Sequence, residues 1–242
     1  MTSLKIYLLN IRGVAVINSK KILAITLARG GSRRVPKKNI VDINGKPLLC
    51  YTIDETNKSK YIDKYIVSTD DPGIASVAIA AGVEVHNRNA AQAQDTSTSA
   101  DALMAAVIKG EYQDYDYLVE VMATNPLKTV TDIDGVVEKL EQTGADSVVS
   151  VVRIWDHHPS RVKYIENDRL MDFYPEIPES RRQDLTPTAY VRNGSIYATT
   201  MSSFLKYKIR LGPDTRPYIM DEARTINIDE PIDLELARLL LK

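Results

Sequence analysis

The sequence has one cysteine, Cys50, and three histidines, His86, His157 and His158. A single cysteine excludes an internal disulfide and a Cys-rich zinc site and fits a reducing cytoplasm. The histidines fall into no metal-ligand spacing. Net charge is nearly absent, since 31 Lys and Arg stand against 32 Asp and Glu. The chain therefore has no long-range field for duplex nucleic acid or an anionic membrane, and any anion must be met by local clustering. Long apolar runs are missing too. Those within residues 1–20 are interrupted by Lys5, Asn10 and Arg12, and no small-residue cleavage site follows. The segment is expected to be neither signal peptide nor membrane span, but an N-terminal extension. Neither G-x-G-x-x-G nor G-x-x-x-x-G-K-[ST] occurs.

The 242 residues, 44% of them hydrophobic, are enough for one sizeable core, and one main domain is expected over 21–242. Short apolar runs predict buried strands at "KILAITLA" (21–28), "KYIVSTD" (64–70), "YDYLVEVMA" (115–123) and "DSVVSVV" (146–152). Helix-like stretches separate them at 47–59, 72–82, 99–110 and 131–144. Pro72 suits a first helical turn, Thr131 or Asp132 an N-cap, and Gly82, Gly110 and Gly144 suit C-caps. Such alternation predicts an α/β fold with a mostly parallel sheet and helices on both faces. From about residue 153 to 187 the pattern changes to two strands around "ENDR" and an irregular, proline-bearing stretch. "AYVRNGSIYATT" (189–200) returns to the core pattern, and "PIDLELARLLLK" (231–242) predicts an amphipathic helix.

Directly after the first strand comes "ARGGSRRVPKKN" (28–39), with adjacent Gly30 and Gly31 and five cations, Arg29, Arg33, Arg34, Lys37 and Lys38. In a parallel sheet this position is the carboxyl edge, where ligands bind. Glycines let backbone N–H groups approach an anion closely, and the cations can neutralise several phosphate charges. A solvated basic turn would account for the charges alone, but not for the strand and glycines before them.

The same stretch resembles the phosphate loop of the acylneuraminate cytidylyltransferase (CMP-sialic acid synthetase) family, on Ala28, Arg29, Ser32, Lys38 and Asn39. "NGKPLLCYTI" (44–53), "IVSTDD" (66–71), "HHP" (157–159), "RRQDLTP" (181–187) and "YVRNGSIY" (190–197) look like further family blocks in the right order. The resemblance implies a Rossmann-like nucleotidyltransferase fold. It also implies transfer of CMP from CTP to the anomeric hydroxyl of an acidic 2-keto sugar, with release of pyrophosphate and with Mg2+ as cofactor. Region 153–187 resembles the family's dimerisation element, which implies a homodimer.

By the same resemblance Arg29 and Lys38 hold the triphosphate as the catalytic pair, with Ala28, Ser32, Arg33 and Asn39 lining it. Arg88, Ser99 and the backbone near Ser97 fall on the base-reading segment, and such groups can match the O2, N3 and amino edge of cytosine. "DTSTSAD" (95–101) would also serve simply as a helix cap. Asn193 and Tyr197 would face the sugar, although Asn-Gly alone predicts a hairpin turn. Arg161, Arg182 and Gln183 would lie near its carboxylate or the phosphates. "TINIDEPIDLELA" (225–237) resembles the metal segment, where the family carries two aspartates and this chain has Asn227 and Asp229. A nucleotide-bound magnesium needs few protein oxygens; Asp229 would alternatively cap the last helix.

"VMATNPLK" (121–128) departs from the sialic acid enzymes' Gln-Pro-Thr-Ser-Pro-Leu-Arg, and Met122 stands at the sugar-contacting glutamine. A modified nonulosonate is thus expected as substrate. A CMP-Kdo synthetase shares fold and reaction, but its Gln-Gly-Asp block is absent from 120–126. A catalytically silent nucleotide binder is a further alternative, raised by Asn227. His157 and His158 are expected to be a loop or interface detail rather than a base. No Ser-His-Asp or Cys-His constellation is needed for such chemistry.

Overall fold

A computed structural model of the chain describes residues 17, 19–88 and 98–241, so most of the N-terminal extension and Ser97 lie outside the described residues. The chain forms β1 (Ile22–Leu27), a hairpin of β2 (Asp42–Ile43) and β3 (Lys46–Pro47), α1 (Leu48–Asn57), β4 (Lys64–Thr69), α2 (Pro72–Ala80) and β5 (Glu84–Asn87). Next come α3 (Ser99–Lys109), β6 (Tyr117–Val121), α4 (Val130–Thr143) and β7 (Ser147–Ile154). A second hairpin, β8 (Lys163–Glu166) and β9 (Arg169–Asp172), precedes β10 (Ala189–Thr200), α5 (Met201–Tyr207), β11 (Thr215–Ile219) and α6 (Pro231–Leu240). No helix among the described residues is long and apolar enough to cross a membrane.

Seven strands form the main sheet in the order β11-β7-β10-β6-β1-β4-β5. The sheet is mostly parallel; β10 runs antiparallel to both of its neighbours, β6 and β7. Side chains of β1 alternate between two cores. Ile22 and Ala24 pack with Ile133, Val136 and Leu140 of α4, whereas Leu23 and Ile25 pack with Leu103 and Val107 of α3 and Phe204 of α5. A strand apolar on both faces is what a sheet covered on both sides requires, so the unbroken "ILAITL" run follows from its place in the middle.

The helix ends follow local chemistry. Asp71 accepts from Ile74 N–H and Pro72 opens α2, while Thr98 and Asp101 form a reciprocal capping box at α3. The start of α4 differs from the sequence expectation of Thr131 or Asp132. Its N-cap is Thr129, and Asp132 lies three residues in, where its carboxylate accepts from Thr129 N–H at 2.9 Å. The "ENDR" stretch is the expected tight turn, with Asn167 and Asp168 both at positive φ.

A separate apolar cluster sets the site. Leu234 and Ala237 of α6, with Ile226 and Ile228 before it, pack against Val35, Ile43 and Leu48. That packing lays the segment around Asp229 beside the loop that follows β1.

Candidate active site

The loop after β1 is held by its own backbone and by two acidic neighbours. Ala28 is fully buried and donates its N–H to Ser68 O at 3.0 Å, and Gly30 N–H donates to Asp70 Oδ1 at 3.1 Å. A Cβ on Gly30 would stand 2.8 Å from Asp71 Oδ2, so only glycine passes here without displacing the helix-capping carboxylate. Asn39 is buried and donates to the carbonyl of Arg29 at 2.9 Å. Its amide thus shapes the loop from beneath while Lys38 projects from it.

The loop opens on a cavity of about 550 Å³. Its lining includes Arg29, Ser32, Arg33, Lys38 and Asn39 of the loop, together with Arg88, Thr98, Ser99, Glu120, Met122 and Asp229. Lys38 Nζ donates to Asp229 Oδ1 at 2.7 Å, and Arg34 pairs with Glu230 at 2.5 Å. These contacts join the loop to the approach of α6.

Arg88 is the least satisfied group in the cavity. Its side chain is 5% exposed, Nη2 lies 3.8 Å from Asp70 Oδ1, and neither Nε nor Nη2 has a hydrogen-bond partner among the described residues. Burial pushes its pKa down, with the Asp70 carboxylate pulling it back up. Buried donors without protein partners are costly and suit a ligand that brings acceptors. Ser99 is the first residue of α3, so the expected cap and the expected cavity lining are both present, on Thr98 and Ser99 respectively.

A second cavity of about 290 Å³ is lined by Asn193, Tyr197, Arg210 and Asn227, among others. Two contacts tie it to the first: Asn227 Nδ2 lies 2.5 Å from Asp229 Oδ2, and Arg210 Nη1 lies 2.8 Å from Glu120 Oε2. Asn-Gly at 193–194 is not a hairpin turn. Gly194 has φ of +62°, and the pairing of β10 with β7 shifts register between Arg192 and Tyr197, which makes a bulge within one strand. Asn193 is held inward by that bulge, accepting from Ser150 Oγ at 2.7 Å and donating to Thr225 Oγ1 at 3.3 Å. Arg210 covers the Tyr197 ring at 4.3 Å.

Arg161, Arg182 and Gln183 line neither cavity. Arg161 is engaged within the 153–187 region by Asp156 at 3.5 Å and Glu179 at 3.3 Å. Arg182 lines a smaller cavity of about 200 Å³ with Trp155 and His157, and Gln183 is exposed beside it. His158 is buried, with Nδ1 accepting from Ser160 N–H and Nε2 within 2.8 Å of Pro187 O, a loop-fixing arrangement. Sequence reasoning missed Glu120, Arg210, Thr98 and Asp70. The available signal for Glu120 was a lone charge inside the run "YLVEVM".

Lys128 is fully buried below Met122. Its Nζ donates to Met122 O at 2.7 Å, to Thr52 Oγ1 at 2.8 Å and to Asn125 O. Burial pushes its pKa down to about 7, while Glu55 and Asp132 pull it upward. These three bonds fix the backbone that carries Met122.

A cationic, glycine-bearing loop at the carboxyl edge of a mostly parallel sheet, facing a buried arginine across one cavity, defines a Rossmann-like protein of nucleotidyltransferase type. The chain belongs to the cytidylyltransferase family, whose sequence model matches residues 23–198. A pseudaminic acid cytidylyltransferase of Campylobacter jejuni subsp. jejuni serotype O:23/36 (strain 81-176) is 31% identical over 226 residues, covering 92% of this chain and 97% of that one. N-acylneuraminate cytidylyltransferase A of Danio rerio is 33% identical over 224 residues, 90% of this chain and 50% of that longer one. A CMP:2-keto-3-deoxy-manno-octonic acid synthetase solved with CTP shares the fold, with a TM-score of 0.71 at 20% identity, covering 92% of this chain and 98% of that one.

Proposed function

We propose that this cytidylyltransferase transfers CMP from CTP to the anomeric hydroxyl of an acidic 2-keto sugar of the nonulosonate type. The observation that carries the reading is one cavity lined both by the cationic loop and by Arg88 and Ser99, with Arg88 Nε and Nη2 lacking a hydrogen-bond partner among the described residues. The loop's cations suit a triphosphate, and Arg88 with Ser99 offers donors that suit a base. The full-length similarity to a pseudaminic acid cytidylyltransferase supports an acidic nine-carbon sugar as acceptor.

In the reaction the anomeric oxygen bonds to the α-phosphorus, the bond from that phosphorus to the bridging oxygen breaks, and pyrophosphate leaves. The anomeric hydroxyl passes its proton to solvent water as the new bond forms. Arg29 and Lys38 neutralise charge on the triphosphate, and Asn39 keeps the loop in shape through the Arg29 carbonyl. Positioning and charge neutralisation supply the main terms for such a transfer, which explains the lack of any nucleophile constellation.

The donor set fits magnesium carried by the nucleotide. Among the described residues no group of three or more His, Cys, Asp or Glu could cage an ion. Asp229, half-exposed at the cavity wall, would give one hard oxygen, with phosphates and water completing the octahedron. As placed, Asn227 turns its amide nitrogen rather than its oxygen to Asp229. The ion would add charge neutralisation to that of Lys38.

The same reading makes the protein a cytoplasmic homodimer. The β8–β9 hairpin supports the dimer, because Ile165 and Leu170 stand 76% and 71% exposed on it with Phe173 beside them. Incubation with CTP, Mg2+ and sialic, legionaminic, pseudaminic, Kdn or Kdo acid tests the function. Sugar-dependent pyrophosphate release with a nine-carbon acid is expected; none with any of the five, from folded protein that binds CTP, overturns it.

A further inference from the structure

Glu120 is the fourth of the five residues of β6, between Ile25 of β1 and Tyr197 of β10. The neighbouring residue on its own face toward the strand start, Leu118, is packed in the apolar core under α3 and α5. A carboxylate at the next position of that face, 1% exposed, is out of keeping with the pattern and needs a reason. Half of the reason is Arg210, which donates to Oε2 at 2.8 Å and covers the Tyr197 ring. The other oxygen, Oε1, is buried and has no hydrogen-bond partner among the described residues.

The pair also marks a boundary. Glu120 lines the larger cavity and Arg210 the smaller, so the ion pair is the partition between the nucleotide space and the space beside Asn193 and Tyr197. Burial pushes the Glu120 pKa up and Arg210 opposes this, so the guanidinium helps keep the carboxylate an acceptor. A negative group here repels phosphate and leaves the triphosphate to the loop of Arg29 and Lys38. It attracts a neutral donor instead. Leu27 and Met122 line the same cavity beside it, and the unbranched Met122 side chain can adapt to an incoming group.

We infer that Glu120 determines sugar specificity, its Oε1 accepting a hydrogen bond from a hydroxyl or acylamino N–H of the acidic sugar. The inference rests on the function proposed above and adds to it the chemical character of one sugar substituent. A buried acceptor with no protein partner is paired by the right sugar and stays unpaired with an analogue lacking the donor, so discrimination comes from the penalty on the wrong ligand. Because Glu120 lines the nucleotide cavity, ribose hydroxyls of CTP offer the same chemistry to Oε1, and the experiment separates the two.

The test compares kcat/KM for the preferred sugar with that for its deoxy or deacylamino analogues, in the wild type and in two variants. Glu120→Gln keeps the shape, but with Arg210 holding the amide oxygen it turns an N–H donor toward the cavity. The double variant Glu120→Leu with Arg210→Leu replaces a buried ion pair by an apolar pair, a change that folded proteins tolerate well. The wild type is expected to prefer one donor-bearing sugar over its matched analogue by about 10- to 100-fold, and both variants to lose that ratio. An unchanged ratio in both folded variants overturns the inference, as does a rise in KM for CTP with the sugar ratio intact, which assigns the acceptor to ribose. No sugar-dependent turnover in the wild type removes the proposed function and the inference together; wild-type turnover with unaltered discrimination removes the inference alone.

Discussion

Lys38 and Asp229 are 191 positions apart in sequence and 2.7 Å apart in space. The contact joins the loop after the first strand to the segment before the last helix, and both line the same cavity. The apolar packing of Leu234 and Ala237 against Val35 and Leu48 brings them together. Substrate phosphates would thus meet a cation whose position is set from two ends of the chain.

Replacing Lys38 by Ala is expected to lower kcat by about 10²-fold, the scale seen when one positioned transition-state charge partner is removed. Its ion pair with the half-exposed Asp229 is worth little to folding, so the melting temperature should stay within a few degrees. Steady-state kinetics beside a thermal melt check both halves.

Arg88→Met should separate stability from binding in opposite directions. It removes a buried guanidinium whose Nε and Nη2 are unpartnered, so the free protein is expected to melt higher. Calorimetry should show the CTP Kd rising by about 10- to 100-fold, since the acceptors on the ligand lose a charged donor. A lower melting temperature with unchanged affinity would remove Arg88 from the site.

Gly30→Ala places a Cβ about where Asp71 already stands, 2.8 Å from Oδ2. Either the loop or the carboxylate that caps α2 must move, at a cost of about 1–3 kcal/mol in strain. CTP affinity should fall by roughly tenfold or more, with circular dichroism close to wild type. Unaltered affinity would show that the loop geometry is not used.

Lys128 gives a pH signature. Its folded pKa is pushed down to about 7 from the ordinary 10.5, so between those values the unfolded chain binds more protons than the folded one. Its contribution to stability therefore rises with pH across that window and is flat below it. Lys128→Met should destabilise by about 3 kcal/mol, because Met122 O, Asn125 O and Thr52 Oγ1 lose their donor. Denaturant unfolding at pH 7 and pH 10 should show a larger wild-type advantage at pH 10; an equal advantage contradicts the shift.

The alternating strands and helices were legible because β1, β4 and β6 are short, mostly apolar runs and their helices carry Pro, Thr and Gly at the ends. The cationic loop was legible as well, since its residues are contiguous. Other features depend on distant neighbours. Asn193-Gly194 has the letters of a turn, yet the pairing of β10 with two long strands makes it a bulge. Arg161 and Arg182 have the charge for a sugar acid, but Asp156, Glu179 and Trp155 hold them within their own region. Glu120 could not be given a partner from sequence, because Arg210 is 90 positions away.

Product analysis after incubation with CTP, Mg2+ and a panel of nine-carbon 2-keto sugar acids tests the central claim most directly. Mass spectrometry is expected to find CMP joined to the sugar through one phosphodiester, in equal amount to the pyrophosphate released. Binding of CTP with no sugar conjugate from any acid in the panel would contradict it.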